Sequence, residues 1–303
     1  MNSPIDASAV CFDSGLITYQ PSCRCLDSWC PRESGLKPRD GDQPRAHTDP
    51  VQAEAGEKPP ILFLHGVFGR PSLLEPWTRV FQAAGYRTHA PTLPGRDPSD
   101  DAVLARTGID DCFQVALEAY DRLGGSPVVI GHSMGGLLTQ RIAAARRPAA
   151  AVLLASIPPG VLWPQPTALP HLAPLLPAVL GGKPFKPSDR TMREVPLSTL
   201  PAAEQDALIP LLARDSGRVF REMSLGARST KVTAADITCP VLCVSAGADR
   251  NVAQWISRRI AKRYRAEHQV HPGLPHWIIA ESAVDTVAPP VLDWLDATLR
   301  GRR

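Results

Sequence analysis

The sequence predicts an α/β fold in which a mostly parallel sheet is covered by helices on both faces. From residue 60 onward, short apolar runs alternate with longer segments whose apolar residues recur at helical spacing. That alternation is typical of βαβ units, which place helices on both faces of a parallel sheet. The chain has 303 residues, of which 44% are hydrophobic and 21% are charged, and can therefore bury the large core that such a fold requires.

The first predicted elements lie between residues 61 and 125. The run ILFLHG (61–66) is apolar almost throughout, as expected of a strand buried on both faces. Residues 73–86 carry apolar side chains at helical spacing, which Gly85 ends. Residues 86–93 are strand-like up to the turn PGRD. Residues 109–125 have acidic residues in the first turn and glycines at the end, which are the start and stop signals of a helix.

The same alternation continues to the C-terminus. The later predicted elements are a strand at 127–133, a helix at 134–148, a strand at 149–156, a strand at 239–247, a helix at 251–264, a weaker strand at 267–273 and a final helix from about 282 to 299. Pro289 and Pro290 are expected to interrupt this final helix, which then starts again.

Charge and composition exclude several classes of protein. Lys and Arg number 33 against 30 Asp and Glu, a balance that does not indicate nucleic acid or an anionic membrane as the main partner. The basic run ISRRIAKRYRAEH (256–268) is interpreted as the solvated face of a surface helix. The N-terminus lacks the pattern of a secretory signal, and no segment is apolar enough to span a membrane. We therefore expect a reduced, cytoplasmic protein.

Residues 1–58 are predicted to be a largely irregular or flexible extension that precedes a domain at 59–303. Residues 21–60 are rich in Pro, Gly and charge and lack periodicity, so they bury little apolar surface. The short run GLITYQ before them is a candidate peripheral strand. The extension contains four of the seven cysteines: Cys11, Cys23, Cys25 and Cys30. Because their spacing lacks a C-x2-C pair, we predict no metal site.

The segment from about 157 to 238 interrupts the alternation of strands and helices. It begins as an apolar, Pro-rich stretch and continues with helix-like patterns. About 80 residues are too many for a connection within a compact domain. We therefore predict a small helical cap, inserted at about 157–238, that lies over one end of the sheet.

The stretch GHSMG places Ser133 between Gly131 and Gly135, at the predicted junction of a strand and a helix. A reversal this sharp holds the serine in a strained backbone conformation and leaves no room for side chains two residues before or after it. The hydroxyl then projects at the carboxyl edge of the sheet beside a helix N-terminus. This context predicts that Ser133 is a nucleophile.

A serine nucleophile needs a base, and the base needs a carboxylate that orients it. For a serine on such a turn, the expected chain order is serine, then acid, then histidine. Asp249 follows the predicted strand 239–247 and His276 follows the strand 267–273. Both therefore lie at the edge of the sheet where Ser133 is expected, and we predict that the three residues form a catalytic triad.

Each partner also has a simpler interpretation. Asp249 could cap the helix that follows it, and His276 could be a packed surface histidine, with His271 as an alternative base. His132, adjacent to the serine, is expected to be a packing residue.

An oxyanion hole completes the prediction. One donor is expected to be the backbone N–H of Met134, directly after the nucleophile, and the other to come from the loop His65–Gly69 after the first strand. Our first choice in that loop is the N–H of Val67, with Phe68 second. His65 is expected to brace the loop.

With HGVFG, GHSMGG, the turn at Asp249 and the run PHW in this order, residues 60–300 closely resemble the α/β-hydrolase superfamily, and within it the capped serine esterases and lipases. The resemblance implies an α/β-hydrolase fold with an eight-stranded, mostly parallel sheet and a cap inserted after strand 6. A serine at the turn argues against the epoxide hydrolases and haloalkane dehalogenases of that superfamily, which have an aspartate there.

We therefore expect a cofactor-independent serine hydrolase that cleaves carboxylic esters of a small to medium apolar substrate through an acyl-enzyme. Leu162, Trp163 and Leu172 of the cap are expected to line the substrate pocket, although they could equally form the core of the cap. The same triad could serve C–C bond hydrolysis, lactone hydrolysis or acyl transfer, and a non-catalytic ligand-binding protein is the remaining alternative. The expected partner is a small-molecule ester, without nucleic acid, and a homodimer is left open.

Overall fold

The computed structural model describes residues 58–301, which hold a six-stranded parallel sheet. The strand order is β2-β1-β3-β4-β5-β6. The strands are β1 (Ile61–Leu64), β2 (Thr88–His89), β3 (Val128–His132), β4 (Ala150–Leu154), β5 (Val241–Ala246) and β6 (Glu267–His271).

Eleven α-helices lie among the described residues, most of them in the connections between strands. They are α1 (Glu75–Ala83), α2 (Asp101–Leu104), α3 (Ile109–Leu123), α4 (Met134–Ala145), α5 (Leu169–Leu172), α6 (Leu176–Gly181), α7 (Asp189–Glu194), α8 (Ala202–Leu208), α9 (Gly217–Leu225), α10 (Gln254–Tyr264) and α11 (Glu281–Arg300).

Two hydrophobic cores cover the two faces of the sheet because successive side chains of a strand point to opposite faces. In β1, Ile61 and Phe63 pack in one core, whereas Leu62 and Leu64 pack in the other. All four are at most 1% exposed. The apolar runs of the sequence are therefore strands buried on both faces, as predicted.

The eight strands implied by the family resemblance are not all present among residues 58–301, which hold six. The predicted strand 86–93 is also shorter than expected, since β2 pairs with β1 only through Thr88 and His89. Pro91 and Pro94 follow and lack the N–H that a longer ladder requires. The peripheral strand predicted at GLITYQ lies outside the described residues.

The C-terminal helix differs from the prediction as well. Pro289 and Pro290 lie inside α11 and do not interrupt it. Two prolines remove two backbone donors, but the side chains of Val287 and Val291 on either side are fully buried. Packing of this apolar face against the sheet therefore outweighs the lost hydrogen bonds.

The segment between β4 and β5 contains helices α5 to α9. Its two ends are tied together, because Leu162 N–H donates to the carbonyl of Met223 at 2.9 Å and Gly160 N–H to that of Thr230 at 3.0 Å. The prediction that this segment is a separate cap, with the boundaries 157–238, stays a prediction.

No helix within residues 58–301 is both long and apolar enough to cross a membrane.

Candidate active site

Ser133 lies on the sharp turn between β3 and α4. Its backbone angles are φ 55° and ψ −117°, a region that residues other than glycine rarely adopt. A Cβ atom at Gly131 would collide with the Gly135 carbonyl, and one at Gly135 would collide with the Leu64 carbonyl of β1. The two glycines therefore let α4 turn back directly over the sheet and leave the serine at its carboxyl edge.

His276 and Asp249 meet Ser133 at that edge. The Oγ of Ser133 is 2.9 Å from Nε2 of His276, and Nδ1 of His276 is 2.8 Å from Oδ2 of Asp249. The side chains are buried, with residue exposures of 2% for Ser133, 7% for Asp249 and 3% for His276. The structure thus brings together the three residues that the sequence singled out, although Asp249 and His276 are separated from the serine by the whole segment between β4 and β5.

The two oxygens of Asp249 have different partners. Oδ2 contacts the imidazole, whereas Oδ1 accepts the backbone N–H groups of Asn251 at 2.7 Å and Val252 at 2.8 Å. The alternative interpretation of Asp249 as a cap is therefore partly right, since it caps the turn before α10. That capping fixes the carboxylate with its second oxygen towards His276.

The other alternative assignments are resolved by position. His271, the alternative base, ends β6, while His276 is the histidine that contacts the serine. His132 is buried, and its Nε2–H donates to the carbonyl of His276 at 2.9 Å. His132 therefore supports the backbone of His276, in line with the packing role expected from the sequence.

Two buried histidines beside the site are neutral. Burial, together with repulsion from His276, lowers the pKa of His132 to about 3. Burial, together with the positive charge of Arg96, lowers the pKa of His65 to about 4. Nδ1–H of His65 donates to the Gly66 carbonyl at 2.9 Å, which makes it the brace of the loop that the sequence predicted.

The loop His65–Gly69 lies against Ser133. A Cβ atom at Gly66 would be 2.8 Å from Cβ of Ser133, so only glycine allows this approach. Val67 lines the cavity over Ser133. Among the described residues, no hydrogen bond occupies the backbone N–H of Val67 or of Met134. Both are available as oxyanion donors.

The backbone of Phe68, the second choice for that role, is already engaged. Its N–H donates to Oδ2 of Asp215 at 2.8 Å, and its carbonyl accepts the N–H of Ala213 at 2.9 Å. The Phe68 N–H is thus not free to bind an oxyanion, and Val67 remains our choice. The contact with Asp215, which is 147 residues away, had no signal in the sequence.

A cavity of about 660 Å³ opens above Ser133 and is predominantly apolar. Its walls include the three predicted pocket residues, Leu162, Trp163 and Leu172. A second, smaller cavity of about 50 Å³ also reaches Ser133 and His276 and includes Leu172, His171 and Met192. Trp163 is 65% exposed and therefore lies at the mouth of the larger cavity.

Within residues 58–301 no three or more His, Cys, Asp or Glu side chains are grouped closely enough to hold a metal ion. The four cysteines considered for a metal site, Cys11, Cys23, Cys25 and Cys30, lie outside the described residues.

Comparison with known proteins agrees with this architecture. The model of the alpha/beta hydrolase family matches residues 61–289. A curated pyrethroid hydrolase from Sphingobium wenxiniae is 30% identical over 76 residues, which are 25% of this chain and 27% of the relative. The chain thus matches only about a quarter of the length of that relative.

Solved structures match over much more of the chain. A monoacylglycerol lipase from Paleococcus ferrophilus has a TM-score of 0.61 at 20% identity, covering 80% of this chain and 97% of the lipase. A methylesterase from Arabidopsis has a TM-score of 0.61 at 15% identity, covering 78% of this chain and 98% of the esterase. At these identities the likeness establishes the fold.

Proposed function

This chain belongs to the alpha/beta hydrolase family, and we propose that it is a serine hydrolase that cleaves carboxylic esters through an acyl-enzyme. The observation that carries the proposal is the unbroken chain of hydrogen bonds from Ser133 through His276 to Asp249. A hydroxyl, an imidazole and a carboxylate in this order form an arrangement that makes a serine nucleophilic at neutral pH.

The reaction begins with proton transfer from the serine. Because Asp249 accepts the Nδ1–H of His276, the lone pair of Nε2 faces the hydroxyl of Ser133 and can take its proton as Oγ attacks the ester carbonyl. His276 then returns the proton to the leaving alcohol. In the second half, His276 takes a proton from water, the resulting hydroxide cleaves the acyl-enzyme, and the proton returns to Ser133.

Both halves of the reaction pass through a tetrahedral oxyanion. We propose that the N–H groups of Val67 and Met134 bind it. Met134 is the first residue of α4, so its N–H belongs to the positive end of that helix. One preorganised donor of this kind is worth about 3 kcal/mol of transition-state stabilisation.

The proposed substrate is a small-molecule ester with one bulky apolar side. The large cavity would accept that side, and the small cavity would accept a side of only a few atoms. We further propose that residues 157–238 act as the cap that covers the pocket. Similar structures carry the names of a monoacylglycerol lipase and a methylesterase, which supports an ester as the substrate.

The test combines labelling with turnover. We expect the purified protein to hydrolyse p-nitrophenyl esters and to be labelled at Ser133 by a fluorophosphonate, and we expect Ser133→Ala to lose both. Ser245→Ala is the matched control, because Ser245 is also buried and also contacts a histidine, His268, at 2.9 Å, but it lies within β5. Absence of both turnover and labelling in the wild type would refute the proposal.

A further inference from the structure

Arg96 and Asp215 form a fully buried ion pair. Both side chains are 0% exposed. Nη2 of Arg96 is 2.6 Å from Oδ1 of Asp215, and Nε is 3.0 Å from Oδ2. Arg96 lies in the loop after β2, whereas Asp215 lies between α8 and α9 in the segment that follows β4. Burying two charges is costly unless every donor and acceptor is used, so the partners of the pair indicate what it does.

The carboxylate of Asp215 accepts two backbone N–H groups besides the guanidinium. Oδ1 accepts the N–H of Ser216 at 2.7 Å, and Oδ2 accepts the N–H of Phe68 at 2.8 Å. Both oxygens are thus used twice. The bond to Ser216 is local, but the bond to Phe68 reaches the loop that holds Val67, directly beside the nucleophile.

Phe68 has a backbone conformation that needs support from outside the loop. Its φ is +59°, in the left-handed region that non-glycine residues adopt rarely and at a cost. Its ring packs against Phe185 and Phe220, with centroids 5.6 and 5.4 Å away. The angles at Phe68 orient the two peptide groups that flank it, and the Val67 N–H belongs to the next peptide group of the same loop.

We infer that Asp215, held in place by Arg96, is a positioning residue for catalysis: it fixes Phe68 through the backbone N–H and thereby aims the Val67 N–H at the oxyanion. This inference rests on the proposed function, because the oxyanion belongs to that reaction. It assigns to the Arg96–Asp215 pair a role in the rate of the chemical step in addition to its role in packing.

Arg96 keeps its positive charge despite its burial. Burial opposes the charged form of Arg96, but attraction to Asp215 and the hydrogen bonds between them raise the pKa of Arg96 above its ordinary value. A charged guanidinium therefore holds the carboxylate of Asp215 in place.

Two double variants separate positioning from packing. Arg96→Met with Asp215→Leu removes both charges, replaces them by apolar side chains and leaves the Phe68 N–H without an acceptor. Arg96→Met with Asp215→Asn removes the same charges but keeps a side-chain oxygen that can accept the Phe68 N–H. Replacing a buried pair by apolar residues is often tolerated for folding. Asp101→Asn is the matched control, because it breaks the exposed pair of Asp101 with Arg214, next to Asp215 in sequence.

For the leucine double variant we expect kcat on a p-nitrophenyl ester to fall about 100-fold, as for a donor displaced by about 1 Å, with little change in KM. The Ki of a trifluoromethyl ketone, which forms a tetrahedral adduct with serine, should rise in parallel. The asparagine double variant should have a kcat about tenfold higher than that of the leucine double variant. The Asp101→Asn control should have the kcat and KM of the wild type. Equal kcat in the two double variants, or a loss that appears in KM alone, would overturn the inference.

Amide hydrogen exchange in the wild type supplies a readout that needs neither variants nor turnover. The Phe68 amide should be protected in the free protein, since Asp215 accepts it, whereas the Val67 amide should become protected only when the trifluoromethyl ketone is bound. Rapid exchange at Phe68 would overturn the inference even if ester hydrolysis is confirmed. Protection at Phe68 in a protein without esterase activity would leave the support of the loop intact and refute the proposed function, and with it the catalytic role.

Discussion

At the level of single residues, the candidate site depends on a few side chains whose contacts decide between the roles that the sequence left open. One carboxylate oxygen of Asp249 accepts hydrogen bonds from the turn before α10, and the other contacts His276. Asp249 therefore caps the turn and also orients the imidazole. The sequence leaves these two roles as alternatives, but a carboxylate with about four acceptor positions can serve both. One residue therefore connects the local chain geometry to the chemistry.

Asp249→Asn should separate these two functions. The amide oxygen can still accept the N–H groups of Asn251 and Val252, so we expect the melting temperature to change little. Its NH2 group would face Nδ1 of His276 and favour the tautomer that cannot accept the serine proton, lowering kcat by about 10⁴-fold. Steady-state kinetics and a thermal melt measure the two effects, and a loss of activity that merely follows a loss of stability would contradict the prediction.

At the element scale, the site exists because α4 packs unusually close to β1. The approach places the N-terminus of α4 and the loop after β1 on either side of Ser133, and the glycines of GHSMG make it feasible. The role of these glycines could be predicted from the sequence because a strand, a sharp turn and a helix follow one another within a few residues. Local pattern is a good predictor where the interaction is itself local.

Gly135→Ala should be destabilising, although alanine ordinarily stabilises a helix relative to glycine by about 1 kcal/mol. The added Cβ would overlap the Leu64 carbonyl and be 2.8 Å from the His65 carbonyl. We expect the free energy of unfolding to fall by about 1–3 kcal/mol and activity to fall with it, as for an overpacked core.

Gly181→Ala in α6 is the control, because its Cβ would approach only the side chain of Lys183, at 3.7 Å or more. Urea unfolding of the two variants should give opposite signs. A neutral effect at Gly135 would show that α4 can move away from β1 without penalty.

Helix α11 and strand β2 show how local residue preferences compare with tertiary packing. The prolines of α11 predict a break, but the helix runs from Glu281 to Arg300 because its buried face is apolar on both sides of them. The shortness of β2 has a different origin. This strand lies at the edge of the described sheet, and Pro91 and Pro94, which follow it, have no N–H to donate to a longer ladder. The reason for the short strand therefore stands in the local sequence, whereas the unbroken α11 depends on tertiary packing.

At the scale of the whole molecule, the site is a place where polar groups are buried in an apolar interior. His65 and His132 are at most 1% exposed, and burial is the largest cause of their lowered pKa values. In the unfolded chain both would titrate near pH 6.5. The folded protein therefore binds fewer protons than the unfolded chain at mildly acidic pH.

This difference predicts that stability is lost on acidification. Above about pH 6.5 both histidines are neutral in the folded and in the unfolded chain. Below that pH the unfolded chain binds protons at both histidines. The folded protein does so only when the pH approaches the pKa values of about 4 for His65 and about 3 for His132. Each histidine should lower the free energy of unfolding by about 1.4 kcal/mol per pH unit in that window.

Urea unfolding at several pH values from about 7 to about 4.5 measures the slope. His132→Gln is the control, since the glutamine amide can still donate to the His276 carbonyl but does not titrate, and it should remove about half of the slope due to the two histidines. An unchanged slope in this variant would argue that His132 is not the group responsible.

The order of strands and helices, the turn at Ser133 and the selection of Asp249 and His276 were predictable from the amino-acid sequence. Each depends on the periodicity of short segments or on the position of a residue at the end of a strand. The contact of Asp215 with the Phe68 N–H, and that of Arg96 with Asp215, become visible only in the folded chain. Those contacts join segments 147 and 119 residues apart, and a hydrogen bond across such a distance has no local pattern, since it forms only after the sheet and the segment between β4 and β5 have packed together.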